Sequence, residues 1–197
     1  MTATLVDSSA TDNDANDISL TTTVGDIAVV TITAGSTNDV TLTAAGAITE
    51  DGDALTVVRA DELTAASGGV ITLDTTVATV DLATFAVGDI DIDETDAITL
   101  SSVTTSDGSI TVDSGGALAA TLIDSSATDN DANDISLTTT SGGISVVTIT
   151  AGSTNDVTLT SAGAITEDGD TATVVRADEL AATAGGSITL DTTVATA

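Results

Sequence analysis

The sequence predicts an all-β protein: a right-handed parallel β-solenoid (β-helix) of about eight coils, roughly 20–27 residues per coil. Three observations carry that prediction. Residues Ala3 to Val80 recur as Ala120 to Ala197 at a constant offset of 117, and 66 of the 78 aligned positions are identical. Within each copy, Ile, Val and Leu alternate with Thr and Ser at a period of two, the pattern of a half-buried strand, and no segment has a helical period. Apolar residues make up 41% of the chain but aromatic residues only 1%, with one Phe and no Trp, Tyr or Pro. A narrow aliphatic tube excludes rings. A chain that uses nearly every backbone N–H between coils has no room for proline.

The strand signals follow one another in order. Asp17-Ile18-Ser19-Leu20, Asp39-Val40-Thr41-Leu42 and Asp61-Glu62-Leu63 open strands in the first copy. Ala97-Ile98-Thr99-Leu100, Ser109-Ile110-Thr111-Val112 and Ala117-Leu118-Ala119 follow in the joining region. Gly143-Ile144-Ser145-Val146, Ala164-Ile165-Thr166 and Ser187-Ile188-Thr189-Leu190 return in the second copy. Corners are marked by Gly, Asn and Asp, as in Gly35-Ser-Thr-Asn-Asp39 and Glu50-Asp-Gly-Asp53, where positive φ or local side-chain bonding is required.

These units read as one continuous solenoid over 1–197, with repeat copies at 3–80 and 120–197 and with 81–119 completing the first 117-residue cassette. A five-fold subdivision of the cassette makes it about 24 Å of rod at the spacing of stacked strands. The competing architecture is a tandem of β-sandwiches, since 117 residues is near sandwich size. After Met1 the chain runs straight into the repeat, so it reads as an internal stretch of a longer protein.

The charge balance excludes several classes of function. There are 31 Asp and Glu against two Arg and no Lys, a formal net charge of −29. Such a surface repels phosphate backbones and anionic lipid, so neither nucleic acid nor membrane insertion is expected. It attracts cations and keeps the molecule soluble. No cysteine is present, so no disulfide or thiolate site exists.

Catalysis is not expected either. The chain has no His, Lys, Cys or Tyr. Arg59 and Arg176 occupy the same repeat position in Val-Val-Arg-Ala-Asp-Glu-Leu, and each is expected to pair with Asp61 or Glu62, or with Asp178 or Glu179. A catalytic centre repeated at a fixed translation would be unusual.

The candidate metal ligands are Asp12, Asp14 and Asp17 and their copies Asp129, Asp131 and Asp134. They cluster carboxylates and amides in one loop of each copy, the donor set that Ca²⁺ takes. The spacing lacks the glycine and terminal glutamate of an EF-hand, and a solvated Asx-turn is the competing reading. Thr31-Ile-Thr33, Thr41-Leu-Thr43 and their copies raise a third possibility, a flat threonine array that binds ice.

Segments such as Asp39-Val-Thr-Leu-Thr-Ala-Ala-Gly-Ala-Ile-Thr49 and Leu63-Thr-Ala-Ala-Ser-Gly-Gly-Val-Ile-Thr-Leu73 resemble the coils of filamentous-haemagglutinin-like adhesins and of other giant bacterial surface proteins. The resemblance implies a right-handed β-helical stalk at the bacterial cell surface or outside it. The resulting expectation is a structural rod or stalk segment of an extracellular filament or giant adhesin. Its partners would be adjacent repeats or neighbouring copies end to end, together with divalent cations. An ice-binding protein or a calcium-dependent β-sandwich adhesin module is the alternative.

Overall fold

Each short apolar run in the chain forms a strand, and each strand stacks on the strand about one coil earlier. The computed structural model describes residues 1–10, 15–52, 57–130, 132–169 and 174–196. Their strands join in a single twenty-stranded sheet that winds from Thr2–Ala3 to Thr192–Thr196. Every pairing is parallel, from the first rung to the last. That removes the sandwich alternative, whose sheets would be antiparallel. The chain is a parallel β-solenoid.

Two columns of rungs define two faces. On face I, Ile27, Ile48, Ile71, Ile90, Ile110, Ile135, Val157 and Leu180 lie directly above one another. On face II the column runs Ile18, Val40, Leu63, Val80, Leu100, Ala120 and Val146. Eight rungs on face I span about 34 Å at the spacing of stacked strands. The coils there vary from 19 residues, between Ile71 and Ile90, to 25, between Ile110 and Ile135. The core is the slot between the faces, and nearly all of its Ile, Val and Leu side chains are fully buried. Phe85, the one aromatic residue, is 59% exposed, because the slot holds aliphatic side chains only.

The cassette does not contain five coils. Ile18 lies on face II, whereas its copy Ile135 lies on face I; Ile27 lies on face I, whereas its copy Ile144 lies on face II. Five and a half turns therefore separate the copies, and the second cassette is rotated half a turn about the axis. Both faces accept the same sequence because each needs only an Ile-x-Ile-type strand facing the slot. The cassette occupies about 26 Å of rod by the same spacing.

At the inward end of several strands the chain places a polar group rather than an aliphatic one. Thr75, Glu94, Ser114, Thr139 and Ser161 stack as one buried polar column, and Ser67, Thr84 and Thr105 as another. Most of these hydroxyls donate to a nearby carbonyl of the turn that follows: Thr105 Oγ1 to Gly108 at 2.7 Å, Thr84 Oγ1 to Gly88 at 3.1 Å, Thr139 Oγ1 to Gly142 at 3.3 Å. A buried corner carbonyl would otherwise lack a partner. The alternation predicts hydroxyls outside; their second use, at the last inward position before a glycine turn, is visible only in three dimensions.

Candidate functional site

Three features could carry chemistry or recognition: the aspartates at the corners, the acidic ladder on face I, and the grooves that hold the arginines.

The corner aspartates are axial staples. An aspartate one residue before a strand accepts the backbone N–H of the equivalent residue one coil later. Asp17 takes Asp39 N–H at 3.0 Å, Asp26 takes Ala47 N–H at 2.8 Å, Asp89 takes Ser109 N–H at 2.8 Å, and Asp134 takes Asp156 N–H at 2.9 Å. These N–H groups fall where the chain turns out of the ladder, and a fixed carboxylate replaces the missing carbonyl.

Of the six residues expected to hold calcium, Asp12, Asp14 and Asp131 lie outside the described residues. Asp17 and Asp134 are staples. Asp129 folds onto the corner of the next coil, where its carboxylate accepts both the N–H and the hydroxyl of Ser153 and of Thr154. Those bonds, the Ser153 hydroxyl first, hold its carboxyl below the usual carboxylate range. Asp7 is lowered in the same way by the hydroxyl and N–H of Ser9. Among the described residues no three carboxylates converge on one point. The half-turn between cassettes also separates the two loops: Asp17 lies at the edge where the chain leaves face I, Asp129 and Asp134 at the edge where it leaves face II.

Beside those loops runs a short asparagine ladder. Asn38 and Asn155 are fully buried. Asn155 donates through Nδ2 to Ala151 O at 2.7 Å and accepts the N–H of Asn133 at 3.2 Å. Asn38 does the same with Ala34 O at 2.8 Å and Asn16 N–H at 3.2 Å. Replacing Asn155 with alanine strands a buried carbonyl and a buried N–H, and should cost about 2 kcal/mol in a denaturant titration. An unchanged midpoint would mean that water serves both groups.

The acidic ladder stands on the outer side of face I. Asp74, Asp93 and Asp113 occupy one register position in successive coils, with Asp91 two residues away. Burial first, and then the charges of Asp113 and Glu50, push the Asp93 carboxyl above its ordinary range. Asp91 is raised by burial and by Asp93, Asp113 and Asp89. Like charges at the spacing of a parallel ladder oppose the stacking that brings them together.

The threonine array is shallow. Ser19, Thr41 and Thr64 stack on face II with Thr21, Thr43 and Ala66, and the next residue in the first column is Asp81. The copy on face I, built on Ser136, Thr158 and Ala181, meets Thr111 and Asp113 one rung earlier. The ranks that carry both hydroxyls number two on each face.

Neither arginine makes the ion pair its neighbours suggest. Arg59 and Asp61 both point outward from one strand, and no carboxylate among the described residues lies within ion-pair distance of Arg59 or Arg176. Each guanidinium instead lines a concave groove along one edge. The first, about 550 Å³, includes Gly35, Arg59, Ala60, Thr76, Ala78 and Ala97. The second, about 610 Å³, is its cassette copy, with Gly152, Arg176, Ala177, Thr193 and Ala195. The half-turn puts the two grooves on opposite edges. The composition marked these arginines as exceptional, but nothing in their spacing revealed the groove.

A scan of protein-family models, a search of curated proteins and a search of solved structures each return no match to this chain.

Proposed function

We propose that this chain is a rod or stalk segment of an extracellular bacterial surface filament or giant adhesin, with coils of the filamentous-haemagglutinin-like kind. The observation that carries the reading is the junction between cassettes. Residues 81–119 pass the chain from one copy to the next with every face-I rung from Ile71 to Ile135 still in parallel register. Duplicating a cassette therefore lengthens the rod without a hinge. Each coil has a core only when its neighbours cover it, so stability is close to a sum over adjacent coils. The same open strand edges that bind one coil to the next are suited to neighbouring copies end to end.

Appending one further 117-residue copy should lengthen the particle by about 26 Å at constant cross-section, measured by small-angle scattering in dilute solution. Growth in width, or a flexible joint between cassettes, would refute the stalk.

Divalent cations belong to the proposal as counterions of the −29 surface and of the Asp74–Asp93–Asp113 ladder. Millimolar Ca²⁺ should raise Tm by more than NaCl of equal ionic strength does, and a chelator should reverse the gain. Equal effects of the two salts would reduce the cation to general screening.

A further inference from the structure

Two features of the first cassette have no role in an isolated rod. One is an apolar ridge on the edge where the chain leaves face II: Val24, Phe85 and Val87 are 88%, 59% and 72% exposed. The Phe85 ring rests over Gly68, where a Cβ would come within 3.2 Å of it. The other is the Arg59 groove on the opposite edge, floored by Ala60, Ala78 and Ala97, with no carboxylate of the described residues within ion-pair distance of its guanidinium.

Ridge and groove occupy the same level of the rod. Arg59 and Ala60 pair with Thr76 and Val77 in the next coil, and Phe85 and Val87 end that coil. Their chemistry is complementary. The ridge presents an aromatic ring and a valine to a floor of methyl groups. Asp107 stacks directly on Val87, and Asp89 is two residues beyond it, so the ridge also offers carboxylates to the guanidinium. The groove contains no ring on which a sugar or a base could stack, and the −29 surface repels polyanions. In the second copy Ser141 stands in place of Val24 and Ser187 in place of Val70.

We propose that the Val24–Phe85–Val87 ridge of one rod seats in the Arg59 groove of a second copy, with Arg59 meeting Asp107 and Asp89 across the contact. This rests on the stalk reading and adds a lateral partner to it. The contact joins unlike edges by translation, so it does not close on itself, and it builds parallel ribbons of rods rather than a dimer. Asp61 and Asp96 also line the groove, and with the net charge they oppose the approach at low ionic strength. Salt screens that repulsion, and the apolar contact then dominates.

Sedimentation of the intact 197-residue chain from micromolar to about millimolar concentration tests the contact. Wild type should self-associate in 0.15 M NaCl, and more strongly as salt rises. Phe85→Ser with Val87→Ser should weaken association about tenfold or more at every salt concentration. Arg59→Gln should weaken it about threefold in 0.15 M NaCl and much less in 1 M NaCl, where charge pairs are screened. Arg176→Gln should leave it unchanged. All substituted side chains are exposed, so melting curves should be unaffected and any loss is not one of folding. A wild type that stays monomeric throughout, variants that associate as it does, or an Arg176→Gln that matches Arg59→Gln would overturn the contact. Scattering at high dilution reads the axial length separately, so failure here leaves the stalk reading standing, and the reverse also holds.

Discussion

Replacing Glu94 with alanine is expected to lower the unfolding free energy by about 3 kcal/mol. Glu94 is 4% exposed and is the one acid in the internal column of hydroxyls. It marks a change in the shape of the coil. In the preceding coils the strand bends on from face I, so that Val58, Arg59 and Ala60 pair with Thr75, Thr76 and Val77. The next coil turns away at Thr95 and leaves no backbone to receive Val77. Glu94 fills the gap: Oε2 accepts Val77 N–H at 3.0 Å and the Thr75 hydroxyl at 2.8 Å, and Oε1 accepts Asp96 N–H at 3.1 Å. Alanine strands three donors. Glutamine keeps one acceptor oxygen but turns its amide toward an N–H, so about 1 kcal/mol is expected for it. For a chain of this size the alanine loss corresponds to a fall in Tm of roughly 10 °C. A glutamine variant as stable as the wild type would show that the carboxylate matters only as volume.

The same residue gives the rod an unusual pH dependence. Burial pushes the Glu94 carboxyl up, against the pull of its bonds to Asp96, Thr75 and Val77. Asp91 and Asp93 are raised as well. A carboxyl whose pKa is higher folded than unfolded contributes most below its unfolded pKa. That contribution is lost as pH rises through the folded value. Asp7 and Asp129, which are lowered, contribute above the ordinary carboxylate pKa and lose that only as pH falls through their depressed values. Tm should therefore rise as pH falls from 7 into the ordinary carboxylate range, and drop only in stronger acid. Glu94→Ala should flatten the upper limb. A wild-type Tm that falls steadily from neutrality would contradict the assignment of these three groups.

The second large effect is steric. Gly115 and Gly116 lie on the backbone of the coil below. A Cβ at Gly116 would sit 2.6 Å from Ala97 N and 2.8 Å from its Cα, and one at Gly115 would sit 2.0 Å from Thr95 O. None of these atoms can move without opening the stack. Gly116→Ala is expected to cost about 3 kcal/mol, at the upper end for an overpacked site. Gly169 offers the control. Its φ is +86° and a Cβ there would meet nothing within 4 Å, so alanine should cost only about 1 kcal/mol of backbone strain. Denaturant midpoints of the two variants separate close approach from conformation. If they coincide, the corner is looser than its contacts imply.

Much of the fold was legible beforehand because stacked coils are a local code. Ile18-Ser19-Leu20 alternates, and it lies in register with Val40-Thr41-Leu42 one coil later. Gly35 and Gly52 have positive φ at the corners where turn residues cluster. The sites were less legible. The Asx-rich loops read as oxygen ligands, and Asp17 and Asp134 each also accept a backbone N–H one coil away, a relation that spacing alone does not give. Arg59 sits beside Asp61 in sequence, but on one strand the two side chains point outward without meeting. Glu94 in Asp91-Ile-Asp93-Glu94 reads as a surface acid until the coil closes over it.

By itself the sequence determined an all-β repeat whose alternating, ring-free, proline-free pattern suits stacked coils, and the parallel pairing of the strands decided against a sandwich. Its composition sets a formal net charge of −29. The tertiary structure alone decided the phase of the repeat. A run of 117 residues closes five and a half turns, because coil length varies from one rung to the next and the two faces are interchangeable to an Ile-x-Ile strand. That half-turn sends identical loops and identical arginines to opposite edges.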